Sequence, residues 1–92
     1  MSASKRWPVE IYIDEHDDQR RTRAEARLTT PAGTTLVGVG TARRHPRDGE
    51  VPEIGDELAV ARALSQLGHE LLDVTVRDIE QLTGEPARVS AI

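Results

Sequence analysis

The sequence contains no cysteine and no phenylalanine, and its only aromatic residues are Trp7 and Tyr12. Without cysteine there is neither a disulfide nor a thiolate nucleophile. No apolar run approaches the roughly 20 residues of a membrane span, and the opening MSASKRWPVE lacks the apolar stretch of a signal peptide. We therefore expect a soluble cytoplasmic protein with a core of Val, Ile, Leu and Ala. A chain of 92 residues forms one domain with a modest core, which oligomerisation often supplements.

Charge is divided unevenly along the chain. Between residues 19 and 47, seven arginines oppose one acid, Glu25, which leaves +6. Between residues 48 and 85, ten acids oppose Arg62 and Arg77, which leaves −8. Such a division either marks an anion-binding face or lets the two halves attract each other, within one fold or between two subunits.

Three segments alternate apolar and polar residues, which predicts half-buried strands. They are VEIYID (9–14), RAEARLT (23–29) and TLVGVGTA (35–42). Turn residues separate them, with Asp17 and Asp18 in the first connection and Pro31 and Gly33 in the second. This arrangement predicts an antiparallel meander with one face in the core. Acids of the first strand are then expected to face arginines of the second as cross-strand pairs.

After a loop rich in proline and glycine at 45–55, apolar residues recur at steps of three and four. This period predicts an amphipathic helix from about Asp56 to Thr83. Its stripe consists of Ile54, Leu58, Ala61, Leu64, Leu67, Leu71, Leu72, Ile79 and Leu82. Acidic residues at its start suit the helix dipole, and Gly84 followed closely by proline is a stop signal.

The length of this helix predicts a second subunit. It spans about 42 Å, since each residue rises 1.5 Å, whereas a nine-residue strand spans only about 30 Å. Either the helix breaks near Gly68, or its end packs on another copy, and we favour the second. The predicted fold is α+β, a three-stranded antiparallel β-meander followed by one long amphipathic helix (β-β-β-α), as a homodimer. Residues 1–7 are expected to be a flexible N-terminus, 8–84 the domain and 85–92 a tail.

Two motifs have structural interpretations that we prefer. DEHDD (14–18) holds carboxylates and an imidazole, which can bind metals, but consecutive strand residues point to opposite faces. GVG (38–40) looks like part of a phosphate-binding loop, but a strand rather than a helix continues after it. We expect these glycines to let the helix or another backbone approach the sheet closely.

The three histidines, His16, His45 and His69, are far apart and match no nucleophile or zinc pattern. We therefore expect no catalytic residues, no metal, no cofactor and no small-molecule substrate. The chain is predicted not to be an enzyme.

Arginine is the best functional lead. Seven arginines, which we call the basic surface, are Arg20, Arg21, Arg23, Arg27, Arg43, Arg44 and Arg47. In a meander they could lie together, and arginine suits bidentate contact with phosphate. Only Tyr12 is available to stack on bases. The basic surface therefore either binds nucleic acid or is a solvated sheet face paired with the chain's own carboxylates.

Three stretches carry a family resemblance, which covers roughly residues 9 to 83. YIDEHDDQRRTRAEARL, LVGVGTARRHP and, most specifically, IGDELAVARALSQLGHELL resemble a small actinobacterial family of unknown function. That family includes hypoxia- and dormancy-induced mycobacterial proteins. The resemblance implies a β-β-β-α fold similar to part of the double-stranded-RNA-binding domain, and dimers likened to ribosome-hibernation factors. It thus implies a cytoplasmic stress or dormancy protein acting on ribosomes.

The chain departs from double-stranded-RNA-binding domains in two places. There is no room for their N-terminal helix, and the start of the long helix reads Ile54-Gly55-Asp56-Glu57 where those domains place lysines. Carboxylates there would repel RNA. Any RNA is therefore expected on the basic surface, with binding that weakens steeply with salt. The alternative is a homodimeric protein-interaction module with no nucleic-acid role.

Overall fold

The computed structural model describes residues 2–43 and 51–89. The strands are β1 (Val9–His16), β2 (Arg21–Thr29) and β3 (Thr35–Arg43), with a short 3-10 helix (Asp17–Gln19) between β1 and β2, and the long helix is α1 (Pro52–Thr83). This order confirms the predicted α+β fold with β-β-β-α topology. The helix begins four residues earlier than expected, because Pro52 has the backbone geometry of a first helical turn. It ends where predicted, at a left-handed Gly84 with φ of 70°.

The sheet is an antiparallel meander with strand order β1-β2-β3. Its register places Ala24 of β2 between Ile13 of β1 and Gly40 of β3. The β2–β3 turn is closed by a hydrogen bond from Thr30 N to Thr34 O at 2.8 Å. Gly33 takes a φ of 91° in this turn, as its predicted turn role requires.

The core is built from small side chains between α1 and one face of β2 and β3. Its buried members are Ala24, Ala26, Leu28, Leu36, Ala42, Ala59, Ala63 and Leu67. Gly38 and Gly40 lie directly beneath the helix, so that a Cβ on either would come within 3.0 Å of helix backbone atoms. The prediction that GVG permits a close approach is therefore confirmed.

The predicted apolar stripe of the helix is largely wrong. Of its nine members only Leu67 is buried, and Leu71 packs against the core. Leu58 and Leu64 are exposed, and Leu82 is 87% exposed. The cause is the close approach at Gly38 and Gly40, where the helix presents Ala59, Ala63 and Leu67 to the sheet. The period of the helix was correct, but the face that meets the sheet is lined by small residues.

The prediction of a half-buried β1 is also wrong within this chain. Val9, Ile11 and Ile13 share a sheet face with the core but are 39%, 37% and 41% exposed. Helix α1 lies over β2 and β3, and so leaves this strand uncovered. Every described side chain of β1 is exposed.

Helix side chains cover the outer edge of β3. Val39 N donates to Gln66 Oε1, and Arg62 Nη1 donates to Thr41 O at 2.7 Å. Backbone groups at a sheet edge otherwise remain open to pairing with another chain. The helix continues through Gly68 without a break, so the first of the two options for its length does not occur. Within 2–43 and 51–89 no helix is both long and apolar enough to cross a membrane.

Candidate nucleic-acid interface

The face of the sheet opposite α1 carries four of the five described arginines of the basic surface. Strand alternation puts Arg21, Arg23 and Arg27 of β2 on this face, and the register sets Arg43 of β3 opposite Arg21. The prediction that Arg23 and Arg27 share a face is confirmed. Helix α1 does not cover these side chains, because it packs on the other face.

Glu25 holds the centre of this face together. Its carboxylate accepts a hydrogen bond from Arg23 Nη2 at 3.0 Å and from Arg27 Nη2 at 2.8 Å. These two bonds, Arg23 first, hold the pKa of Glu25 below its usual value. The same pairing raises the pKa of Arg27. Glu10 and Asp14 of β1 lie opposite these arginines on the same face, so that with Glu25 three carboxylates oppose two guanidinium groups and this part of the face is slightly acidic.

The expected cross-strand pairing appears in the register but not in these ion pairs. Glu10 lies opposite Arg27 and Asp14 opposite Arg23, as predicted. The carboxylate that bridges both arginines nevertheless belongs to their own strand. Glu10 instead accepts a hydrogen bond from the Tyr12 hydroxyl at 2.5 Å, which raises the pKa of Tyr12.

Tyr12 adds an aromatic group to this face. Its side chain is 47% exposed, and the Arg27 guanidinium lies 4.9 Å from the ring centroid. That distance is within the range of a cation–π contact. The candidate stacking residue therefore lies beside an arginine of the basic surface.

One end of the face is basic. Arg21 and Arg43 form a like-charged cross-strand pair, and neither has a carboxylate partner among the described residues. A cavity of about 300 Å³ lies beside them, lined by Arg21, Thr41, Ala42, Arg43 and Arg62. Sequence reasoning placed Arg62 in the acidic half and missed it. The sequence signal for Arg62 is its spacing: it lies one helical turn after Ala59, which packs on the sheet, and so its side chain can reach the edge of β3.

Arg20 lies at the same end of β2. Arg20 precedes the strand and has a φ of 52°, a left-handed conformation that is unfavourable for arginine. It is exposed in the connection from β1. Arg44 and Arg47 lie outside the described residues. Over the described ranges, no group of three or more His, Asp or Glu side chains is placed to hold a metal ion.

The geometry defines a class of small α+β proteins in which one helix covers one sheet face and arginines occupy the other. The chain belongs to the Rv2632c-like family, which it matches over residues 5–88. It is 57% identical over 83 residues to the uncharacterized protein Mb1767 of Mycobacterium bovis, covering 90% of this chain and 85% of that protein. It is 51% identical over 84 residues to the uncharacterized protein Rv2632c of Mycobacterium tuberculosis, covering 91% and 87%.

A solved structure shares the fold. The crystal structure of Rv2632c superposes with a TM-score of 0.80 at 49% identity, covering 92% of this chain and 98% of that one. The resemblance to an actinobacterial family of unknown function is supported, since these relatives are mycobacterial and uncharacterized by name.

Proposed function

We propose that this protein is a non-enzymatic stress- or dormancy-associated protein that binds the ribosome or structured RNA through the basic surface. The carrying observation is the uncovered sheet face, on which Arg21 and Arg43 lie opposite each other without a described carboxylate partner. Like charges directly opposite each other destabilise a sheet. A phosphate between them would remove that cost.

The chemistry of the face suits RNA phosphates. Arginine presents a planar fork of donors that matches two phosphate oxygens. Tyr12 is exposed beside Arg27 and offers a ring for an unpaired base. The first two turns of α1 are acidic, with Glu53, Asp56 and Glu57, which opposes docking of RNA by the helix.

Ribosome co-sedimentation at about 50 and about 200 mM salt tests this proposal, because phosphate contacts weaken steeply over that range. The variant is Arg21→Glu with Arg43→Glu, which breaks no ion pair in the described part of the chain. The matched control is Arg77→Glu, an exposed arginine on α1. We expect salt-sensitive binding that the double variant loses and the control retains. No binding at the lower salt by a folded protein would contradict the proposal.

A second candidate function is a homodimeric protein-interaction module. The outer side of α1 carries an uncharged series at alternating steps of four and three, the spacing of a helix-pairing seam. Its members are Ile54, Leu58, Ala61, Ser65, Gly68, Leu72, Thr75, Ile79 and Leu82. Ile54 is 62% exposed, so this chain leaves part of the series uncovered.

Gly68 supports a helix from a second copy on this series. A glycine inside a helix costs roughly 1 kcal/mol relative to alanine. A Cβ at Gly68 would meet nothing within 4 Å in the described part of the chain. Close approach of a partner helix would give this glycine a role.

Light scattering at micromolar concentration tests the second candidate. We expect a dimer that Leu58→Asp dissociates, because a buried charge in a helix seam is unfavourable. The control is Glu57→Gln, an exposed residue at the neighbouring position. If the wild-type protein is monomeric, the proposed homodimeric module is wrong, and the RNA-binding proposal is unaffected.

A further inference from the structure

The cavity at the end of the sheet gathers cations from three elements. Arg21 comes from β2, Arg43 from β3 and Arg62 from α1. Arginine is always protonated in proteins, so the cavity walls carry three positive charges. The other lining residues in the described part of the chain, Thr41 and Ala42, are neutral. This arrangement costs stability in the free protein and favours an anionic ligand.

Arg62 is held in place before any ligand arrives. Its Nη1 donates to Thr41 O at 2.7 Å, which ties the guanidinium to the edge of β3. A guanidinium has five N–H donors, so most of those on Arg62 stay available for a ligand. A side chain already fixed by one hydrogen bond loses less conformational entropy on binding.

We infer that this cavity binds a terminal phosphate monoester, such as the 5′-phosphate of an RNA chain. This inference rests on the proposed RNA binding and specifies a subsite within it. A terminal phosphate carries up to two negative charges and three free oxygens, which suits three guanidinium groups. A phosphate within the RNA chain has one charge and two free oxygens, and would leave one arginine without a partner. The cavity volume of about 300 Å³ is at the small end of ligand sites.

Fluorescence anisotropy with a short RNA labelled at its 3′ end tests the inference. The same sequence is compared with a 5′-phosphate and with a 5′-hydroxyl. We expect the phosphorylated RNA to bind about tenfold more tightly, since charge-assisted hydrogen bonds to one end are gained. Arg62→Gln should remove most of this preference, and Arg77→Gln on the same helix should retain it. If Arg62→Gln fails to fold, Arg21→Gln makes the same test.

Adenosine 5′-monophosphate separates the two proposals. If both RNAs bind equally, the terminal-phosphate inference is wrong while RNA binding stands. If neither RNA binds but the mononucleotide does, and Arg62→Gln abolishes this, the subsite stands without RNA as its ligand. If the mononucleotide and both RNAs fail to bind, both proposals are overturned.

Discussion

Gly38 in β3 and Gly68 in α1 are both glycines, but Gly38 is packed against helix backbone whereas Gly68 faces open space in the described part of the chain. A Cβ on Gly38 would collide with the backbone of Ala63 and Leu67, whereas a Cβ on Gly68 would meet no described atom within 4 Å. The first glycine is required by packing inside this chain. The second has no such requirement, although it costs helix stability. The fold of this chain therefore requires glycine at position 38 but only tolerates it at position 68.

The sharpest test of this contrast is Gly38→Ala, for which we expect the largest effect. The new methyl group meets helix backbone, which cannot rotate away as a side chain could. Overpacking a core costs typically about 1–3 kcal/mol, and more where the neighbour is rigid. We expect at least about 3 kcal/mol of lost unfolding free energy, measured by urea denaturation. Val37→Ala is the control, because Val37 points to the other face and is 39% exposed. Equal costs would mean that the helix is not as close to β3 as described.

The two sides of α1 should respond differently to loss of a leucine. Leu67 is 3% exposed in the core, and Leu58 is 41% exposed on the outer side. We expect Leu67→Ala to cost about 2–5 kcal/mol by thermal or urea unfolding. Leu58→Ala should cost less than about 1 kcal/mol in dilute protein, where no partner covers it. The reverse order would show that the outer side of the helix is the one that packs.

Gly68→Ala should change stability in the other direction from Gly38→Ala. In dilute protein we expect a gain of up to about 1 kcal/mol in unfolding free energy, because alanine favours the helix. If the second candidate function is right, the same variant weakens the dimer, since the methyl group obstructs the approach of a partner helix. Urea unfolding at low and high protein concentration measures both effects. Loss of stability at low concentration would show that Gly68 has a contact within its own chain.

The smallest expected effect lies on the sheet face away from the helix. Because the pKa of Glu25 is lowered in the folded protein, its ion pairs stabilise the fold above the ordinary pKa of about 4.5. That contribution should disappear as the pH falls through the lower folded-state value. We expect Glu25→Gln to lower Tm at pH 7, and the difference in Tm from wild type to shrink as the pH is lowered below about 4.5. If the difference in Tm between Glu25→Gln and wild type grows as the pH falls, this explanation is wrong. The control variant is Glu85→Gln.

Local patterns predicted most of the fold. The alternation of VEIYID, RAEARLT and TLVGVGTA was sufficient for three strands, and the later period for one helix. The side of the helix that packs was not predictable from hydrophobicity, because Ala59 and Ala63 are less apolar than the leucines that remain outside. The tertiary contact of the helix with Gly38 and Gly40, which are distant in sequence, determines that the side with Ala59 and Ala63 packs on the sheet.

The candidate site divides in the same way. Strand alternation predicted that Arg23 and Arg27 lie on one face, since residues i, i+2 and i+4 of a strand share a face. The contribution of Arg62 depends on how the helix lies across the sheet, which no local pattern specifies. The pairing of both arginines with Glu25 depends on side-chain geometry rather than on register.

The cover over the edge of β3 has a consequence for the order of synthesis. Arg62 and Gln66, which bond to that edge, belong to α1, which leaves the ribosome after the three strands. Until α1 is made, both sheet edges and the glycine-containing face stand open, and exposed strand edges promote association between nascent chains. A chain that stops before Pro52 should therefore aggregate at concentrations where the whole protein stays dissolved, which sedimentation after translation would measure. Synthesis of the helix thus covers the β3 edge and the glycine-containing face, while the edge strand β1 stays exposed.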